Sequence, residues 1–133
     1  MIEYDKSSAS VCIEWLANMA EKDKWNLTDD DVATLLGGVP THAFVELKKK
    51  QSVQQPIELN ADMLERISLM LGIWKGLQII APVDRKDLAY AWFSQPNLNP
   101  LFNGQSIKEF LLQAESTESF YAARNYLMAH CEP

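Results

Sequence analysis

Residues 60–82 read NADMLERISLMLGIWKGLQIIAP and form the longest periodic run in the chain. Asn60 predicts the N-cap of a helix, and Pro82 predicts that the helix stops after Ala81. Gly72 and Gly76 are four residues apart on one helix face, which predicts that another helix crosses there at short range. The apolar positions that this spacing places on one side are Met63, Ile67, Met70, Leu71, Trp74 and Leu77.

Shorter helices are predicted before this one. A stripe of Cys12, Trp15, Leu16 and Met19 follows the serine cluster Ser7–Ser10 and predicts a first amphipathic helix. Thr28 with Asp31 has the pattern of a capping box opening a short helix, and three acids in its first turn suit the helix dipole. Gly37 and Gly38 end that helix, and Pro40 begins the next one, which reaches Lys50.

Further helices are predicted after it. Asp84 predicts the start of a short helix with Leu88, Ala91 and Trp92 inside, and residues 94–105 predict an ordered loop rich in Pro and Asn. Ser106 and Glu109 form a second capping-box pattern, and a final helix over residues 117–130 buries Phe120, Ala123 and Leu127. Strand signals barely occur, so the sequence predicts an all-α fold. Residues 1–55 form the helix-turn-helix-like region, and residues 56–133 form a second small helical domain.

Composition excludes several classes of protein. The chain has 133 residues, 47% of them hydrophobic and 23% charged, as an ordinary globular domain has. No apolar run reaches the ~18 residues of a membrane helix, and the acidic start MIEYDKSSAS is unlike a secretory signal. We therefore predict a cytoplasmic protein. Its cysteines, Cys12 and Cys131, are expected to be reduced thiols rather than a bridge between the chain ends.

The amino-terminal half has the pattern of a helix-turn-helix: a short helix, a tight glycine turn and a second helix. Thr41, His42 and Glu46 would then face base edges, and Lys48, Lys49 and Lys50 would meet phosphates. An ordinary helical hairpin with a solvated lysine end is the competing interpretation. The net charge of −6 argues mildly against tight binding to DNA, although a local basic patch is enough for some regulators.

No catalytic or metal-binding pattern is present in the sequence. The two histidines are far apart, and Asp29, Asp30 and Asp31 lack the alternation and turn glycine of a calcium loop. Phosphate-binding glycine loops, nucleophile elbows and redox cysteine pairs are absent as well. We therefore expect no enzymatic activity, no cofactor and no metal. The surplus of Trp and Met, with the first apolar stripe, predicts self-association through the amino-terminal half and the long helix, as a homodimer or higher oligomer.

Four stretches in the second half occur in a telling order and spacing. They are RISLMLGIWKGL (66–77), AWFSQPN (91–97), FNGQSIKEFLL (102–112) and AARNYL (122–127). Together they resemble the toxin-binding domain of the Xre/MbcA/ParS family of bacterial antitoxins, and the first half resembles the helix-turn-helix of that family. The resemblance implies an all-α antitoxin of a type II toxin–antitoxin pair, without catalytic activity, whose partner is a RES-domain toxin that consumes NAD.

The resemblance also implies where the contacts lie. In the family the last helix approaches the active site of the toxin, and here it carries Arg124, Asn125, Tyr126 and His130. Arg124 would pair with acids of a nucleotide pocket, and Tyr126 would stack as a base does. Operator DNA is the second implied partner, through which the antitoxin would regulate its own operon. A stand-alone dimeric helix-turn-helix regulator without a toxin, and a scaffold that has lost DNA binding, are the alternatives.

Overall fold

The computed structural model describes residues 6–114 and 116–131, except for the side chains of residues 6, 7 and 131. Within these residues the protein is all-α, as the sequence predicts: helices occur throughout, and the one isolated β-bridge joins Pro96 and Ser106. The α-helices are α1 (Lys6–Met19), α2 (Asp29–Leu35), α3 (Thr41–Ser52), α4 (Ala61–Ile80), α5 (Leu88–Ser94), α6 (Ile107–Leu112) and α7 (Glu118–Cys131). Among the described residues, no helix combines the length and apolar character that crossing a membrane requires.

The chain divides into two compact units. The first comprises residues 1–67 and the second comprises residues 68–133, so the division falls inside α4. The regions predicted from the sequence, 1–55 and 56–133, divide instead in the loop before α4. The first two turns of α4 therefore pack as part of the first unit. The functional roles predicted for the two regions stay predictions.

The stripe predicted for α1 is displaced by part of a turn. Leu16 and Met19 are buried as expected, but Cys12 and Trp15 are only half-buried. Ala9 and Ile13 take the fully buried positions, because 9, 13 and 16 follow the i, i+4, i+7 spacing of one helix face. The Trp15 ring meets the ring of buried Trp25 edge-on, with the centroids 5.7 Å apart. The side chain of the second cysteine, Cys131, lies outside the described residues.

The turn between α2 and α3 depends on its first glycine. α2 begins with the predicted capping box, in which Thr28 Oγ1 accepts from the Asp31 amide and Asp31 Oδ2 accepts from the Thr28 amide, both at 3.0 Å. Gly37 follows α2 with a φ of +112°. A Cβ added at Gly37 would lie 2.7 Å from Asp62 Oδ2 of α4. The positive φ strains any residue other than glycine here, and a side chain would also displace the Asp62 carboxylate.

Both ends of α4 have side-chain caps. Asn60 Oδ1 accepts from the Met63 amide at 2.8 Å, as predicted. At the other end, Lys86 Nζ donates to the carbonyl oxygens of Gln78 (2.6 Å) and Ala81 (2.8 Å). Of the residues predicted to face one side of α4, Leu71 lies at the edge of that side and is exposed.

The second unit differs from the prediction mainly at α5. This helix begins at Leu88 rather than Asp84, and it buries Ala89 and Phe93, whereas Ala91 and Trp92 are half-buried. The loop before α6 is ordered as expected and contains a 3₁₀ turn over Pro100–Phe102. The remaining predictions are confirmed: Ser106 and Glu109 form the second capping box, and α7 buries Phe120, Ala123 and Leu127.

Candidate interaction site

Two of the residues predicted to contact DNA are bound to the acidic first turn of α2. Thr41 Oγ1 donates to Asp30 Oδ1 at 2.8 Å, and Lys48 Nζ donates to Asp29 Oδ1 at 2.6 Å. The Lys48 ammonium also lies 5.1 Å from the centroid of the Phe44 ring. These contacts fix α3 against α2. They also engage the Thr41 hydroxyl and the Lys48 ammonium, which the helix-turn-helix hypothesis assigns to DNA.

The other four predicted residues form the exposed part of α3. His42, Glu46 and Lys49 follow one another at i, i+4 and i+7, so they share a helix face, and Lys50 lies beside it. This face carries two lysines and one carboxylate. The face lies on the second helix of the predicted helix-turn-helix. Its positive charge is smaller than the three lysines of the sequence suggest, because Lys48 is paired with Asp29.

The excess of acids is concentrated in the first unit. Residues 1–67 contain 12 acidic and 7 basic residues, whereas residues 68–133 contain 6 and 5. The predicted helix-turn-helix therefore lies in a unit of net charge −5, and a charge of this sign repels phosphates at long range.

The four residues predicted to contact a toxin do not form one face of α7. A helix turns about 100° per residue, so Arg124 lies on one side of the buried stripe formed by Phe120, Ala123 and Leu127. Tyr126 and His130 lie on the other side of that stripe, and Asn125 points away from it into solvent, in line with its exposure. The structure therefore brings Tyr126 and His130 together and separates them from Arg124.

Arg124 is held by α4 and by its own helix. A Cβ added at Gly72 would lie 2.8 Å from Arg124 Cδ, so the absence of a side chain on α4 leaves room for the arginine stem. The guanidinium carbon lies 5.2 Å from the centroid of the Tyr121 ring, and Nη2 is 3.4 Å from Asn125 Oδ1. No carboxylate among the described residues forms an ion pair with Arg124.

Tyr126 and His130 form one wall of a groove. Their rings are 4.3 Å apart between centroids, and His130 Nδ1 is 2.8 Å from the Tyr126 carbonyl oxygen. On its other side the Tyr126 ring meets Phe102 edge-on at 5.2 Å. The groove has a volume of about 150 Å³, and its other lining residues are Leu77, Ile80, Trp92, Asn97, Ile107 and Leu127.

Sequence reasoning missed this groove. Trp92 was predicted to lie inside, and Asn97 was predicted only as part of a loop. One feature of the sequence does point to the groove: Leu98 and Leu101 lie in a loop rich in Pro and Asn. Such loops are usually polar, so two large apolar residues there indicate a surface that contacts something. The crossing at the glycines was predictable and is confirmed, since a Cβ added at Gly76 would lie 2.9 Å from Leu127 Cβ.

The described residues contain no cluster of three or more His, Cys, Asp or Glu side chains that could hold a metal ion. The titration shifts in the chain have local causes. Burial raises the pKa of the Cys12 thiol, which keeps it protonated and poorly nucleophilic at neutral pH. A hydrogen bond from Arg85 lowers the pKa of the Asp87 carboxyl on the exposed turn before α5. Neither group lies at a residue of the predicted sites.

A relative covers nearly the whole chain. Over 122 residues, which are 92% of this chain and 87% of the relative, the sequence is 34% identical to the uncharacterized protein y4oB of Sinorhizobium fredii (strain NBRC 101917 / NGR234). The chain therefore belongs to the same family as y4oB, and the shared length includes both compact units. No family model and no solved structure matches the chain.

Proposed function

We propose that this protein is a cytoplasmic antitoxin that binds and neutralises a RES-domain toxin. The observation that carries the proposal is that the first and last of the four stretches with the antitoxin resemblance meet at glycine contacts. Gly72 adjoins the stem of Arg124, and Gly76 adjoins Leu127. The residues that carry the resemblance thus support one another in the packing of the second unit, as a shared domain requires.

Neutralisation needs no chemistry from this chain. An inhibitor acts by occupying or covering the NAD cleft of the toxin, and binding there requires exposed groups held in a fixed geometry. Arg124 meets that requirement best, because its guanidinium lies over the Tyr121 ring and no described carboxylate forms an ion pair with it. We assign the contact with the toxin to Arg124, Asn125 and the neighbouring Tyr121 ring. Tyr126 and His130 line the groove on the other side of the buried stripe of α7, which we call the groove flank.

The test begins with the adjacent gene, which the proposal expects to encode a RES-domain toxin, and co-expresses the two. Wild-type protein is expected to relieve growth arrest and to restore cellular NAD. Arg124→Ala is expected to weaken toxin binding by about 10- to 100-fold, as loss of a charged partner at an interface does. Lys75→Ala removes an exposed charge of the same sign from α4 and serves as the matched control.

A second substitution, Tyr126→Ala, distinguishes which flank of α7 contacts the toxin. If Tyr126→Ala, and not Arg124→Ala, abolishes protection, the contact lies on the groove flank. If neither folded variant loses binding, α7 is not the toxin-binding element. If the wild-type protein neither binds the toxin nor protects cells, the antitoxin proposal itself is wrong.

We propose operator binding as a second, separable activity, carried by the helix-turn-helix geometry and the exposed face of α3. Lys49→Ala with Lys50→Ala is expected to weaken binding uniformly across DNA sequences and to lower the salt slope by about one per lost phosphate contact. Asp29→Asn releases Lys48 and removes an acid, so it is expected to strengthen binding. Absence of a gel shift with the upstream DNA at low salt, with or without toxin, would contradict this activity.

A further inference from the structure

One long stretch of the second unit carries no charge. Residues 88–107 contain no Asp, Glu, Lys or Arg, in a chain of which 23% is charged. The stretch covers α5, the loop after it and the start of α6, and most of its residues are at least partly exposed. Two copies of a protein with a net charge of −6 repel each other over most of their surfaces. This stretch is where that repulsion is smallest.

A rigid apolar projection stands on this surface. The side chain of Leu98 is 100% exposed, and that of Leu101 is 38% exposed. The loop that carries them is closed by a hydrogen bond from the Asn97 amide to the Gln105 carbonyl (3.0 Å). Two further bonds brace it, from the Asn99 amide to Asn97 Oδ1 (2.8 Å) and from the Leu101 amide to Asn99 Oδ1 (3.0 Å). Leu98 is therefore held out in solvent without support from the core.

The groove beside Leu98 has the size and chemistry to receive such a side chain. Asn97, the next residue, lines it, and its volume is about 150 Å³. A space of that order, lined by apolar groups, holds one ring or one branched aliphatic side chain. Because Leu98 is fully exposed, it does not occupy the groove of its own chain. Projection and groove lie side by side on one unit, which is the arrangement that a two-fold symmetric contact requires.

We propose that the second unit pairs with a second copy of this chain, each Leu98 entering the groove of the other. Charge complementarity favours this occupant, because an uncharged face meets its equal without repulsion or desolvated ions. In a two-fold symmetric dimer, Leu98 of each copy contacts the groove of the other, so the contact forms twice. Arg124 does not line the groove, so pairing through the groove leaves Arg124 accessible. The proposed pairing does not depend on the proposed function.

The test is the mass of the full-length protein in solution, measured by light scattering at micromolar concentration. Leu98→Asp is expected to halve the particle mass relative to wild type. Val83→Asp is the matched control, because Val83 is 90% exposed on the turn before α5, outside the uncharged stretch, and the variant is expected to keep the wild-type mass. Both positions are exposed, so the circular dichroism spectra at 25 °C are expected to match wild type, and only Leu98→Asp is expected to lose the part of the melting temperature that association contributes.

A mixing experiment tests the direct contact. His130→Lys places a cation on the groove wall at the end of α7, where the helix dipole favours it. A tagged Leu98→Asp chain is expected to retain an untagged His130→Lys chain and not a second Leu98→Asp chain. The proposal is overturned if wild type is a monomer, if Leu98→Asp keeps the wild-type mass, or if no chain is retained. It is also overturned if Leu98→Asp keeps its mass and loses only toxin binding, which would assign the face to the toxin.

Discussion

Of the glycines in the second unit, Gly76 is the one whose added side chain would meet the least movable neighbour. A Cβ there would lie 2.9 Å from Leu127 Cβ, an atom fixed to the backbone of α7. We expect Gly76→Ala to lower the free energy of unfolding by about 1–3 kcal/mol through overpacking. That value is the net loss, in which the steric cost exceeds the ~1 kcal/mol that alanine contributes to helix propensity. Urea denaturation measures the difference.

Gly72→Ala is the matched control for this prediction. Its nearest neighbour is Arg124 Cδ at 2.8 Å, part of a flexible stem that can move aside. The variant is expected to unfold at about the wild-type urea concentration, because steric cost and helix propensity offset each other. Equal stabilities of wild type and Gly76→Ala would mean that the close contact of α4 with α7 is absent in solution.

At single positions, local chemistry was more predictable than burial. Thr28 and Ser106 open their helices as predicted, because a capping box needs only residues three positions apart. Leu71 belongs to the apolar side predicted for α4 and is exposed, because helical spacing gives the face of a residue but not the width of the covered stripe. The prediction assigns Arg124 and Tyr126 to one site, but the turn of about 100° per residue separates two positions that are two residues apart on α7.

Among the elements, the end of α4 makes the clearest prediction. Lys86 Nζ donates to the carbonyl oxygen of Gln78 in the last turn of α4 (2.6 Å) and to that of Ala81, the residue after the helix (2.8 Å). Lys86→Met keeps the length of the side chain and removes the donor, so we expect a loss of about 1 kcal/mol in unfolding free energy. Thermal denaturation at low ionic strength measures it.

The neighbouring residue supplies the control. Arg85→Met removes an exposed ion pair with Asp87, 3.0 Å between Nη2 and Oδ2, and is expected to change stability little. If the two variants melt alike, the contacts of Lys86 with α4 do not contribute as proposed. The same contacts explain why α5 starts late: residues 83–87 form turns that direct Lys86 back to α4, a tertiary effect that the helix-start pattern at Asp84 does not contain.

At the scale of the whole molecule, the division inside α4 predicts which fragments fold. Residues 1–55 lack Asp62 and Arg66, which pack on Gly37, and the buried Met63 and Ile67. We expect this fragment to have little helicity at 25 °C and a fragment of residues 1–67 to be markedly more helical, as circular dichroism would measure. Equal helicity would show that the first turns of α4 are dispensable, and would favour the boundary predicted from the sequence.

The helix that both units share has a consequence for turnover. Helix formation is cooperative along the chain, so opening of α4 in one unit removes hydrogen-bond partners from its neighbouring turn in the other. A partner that binds only residues 68–133 therefore slows amide exchange at residues 61–67 as well, and lowers the population open to proteases. The lifetime of the whole polypeptide in the cell becomes a readout of whether its carboxy-terminal half is occupied.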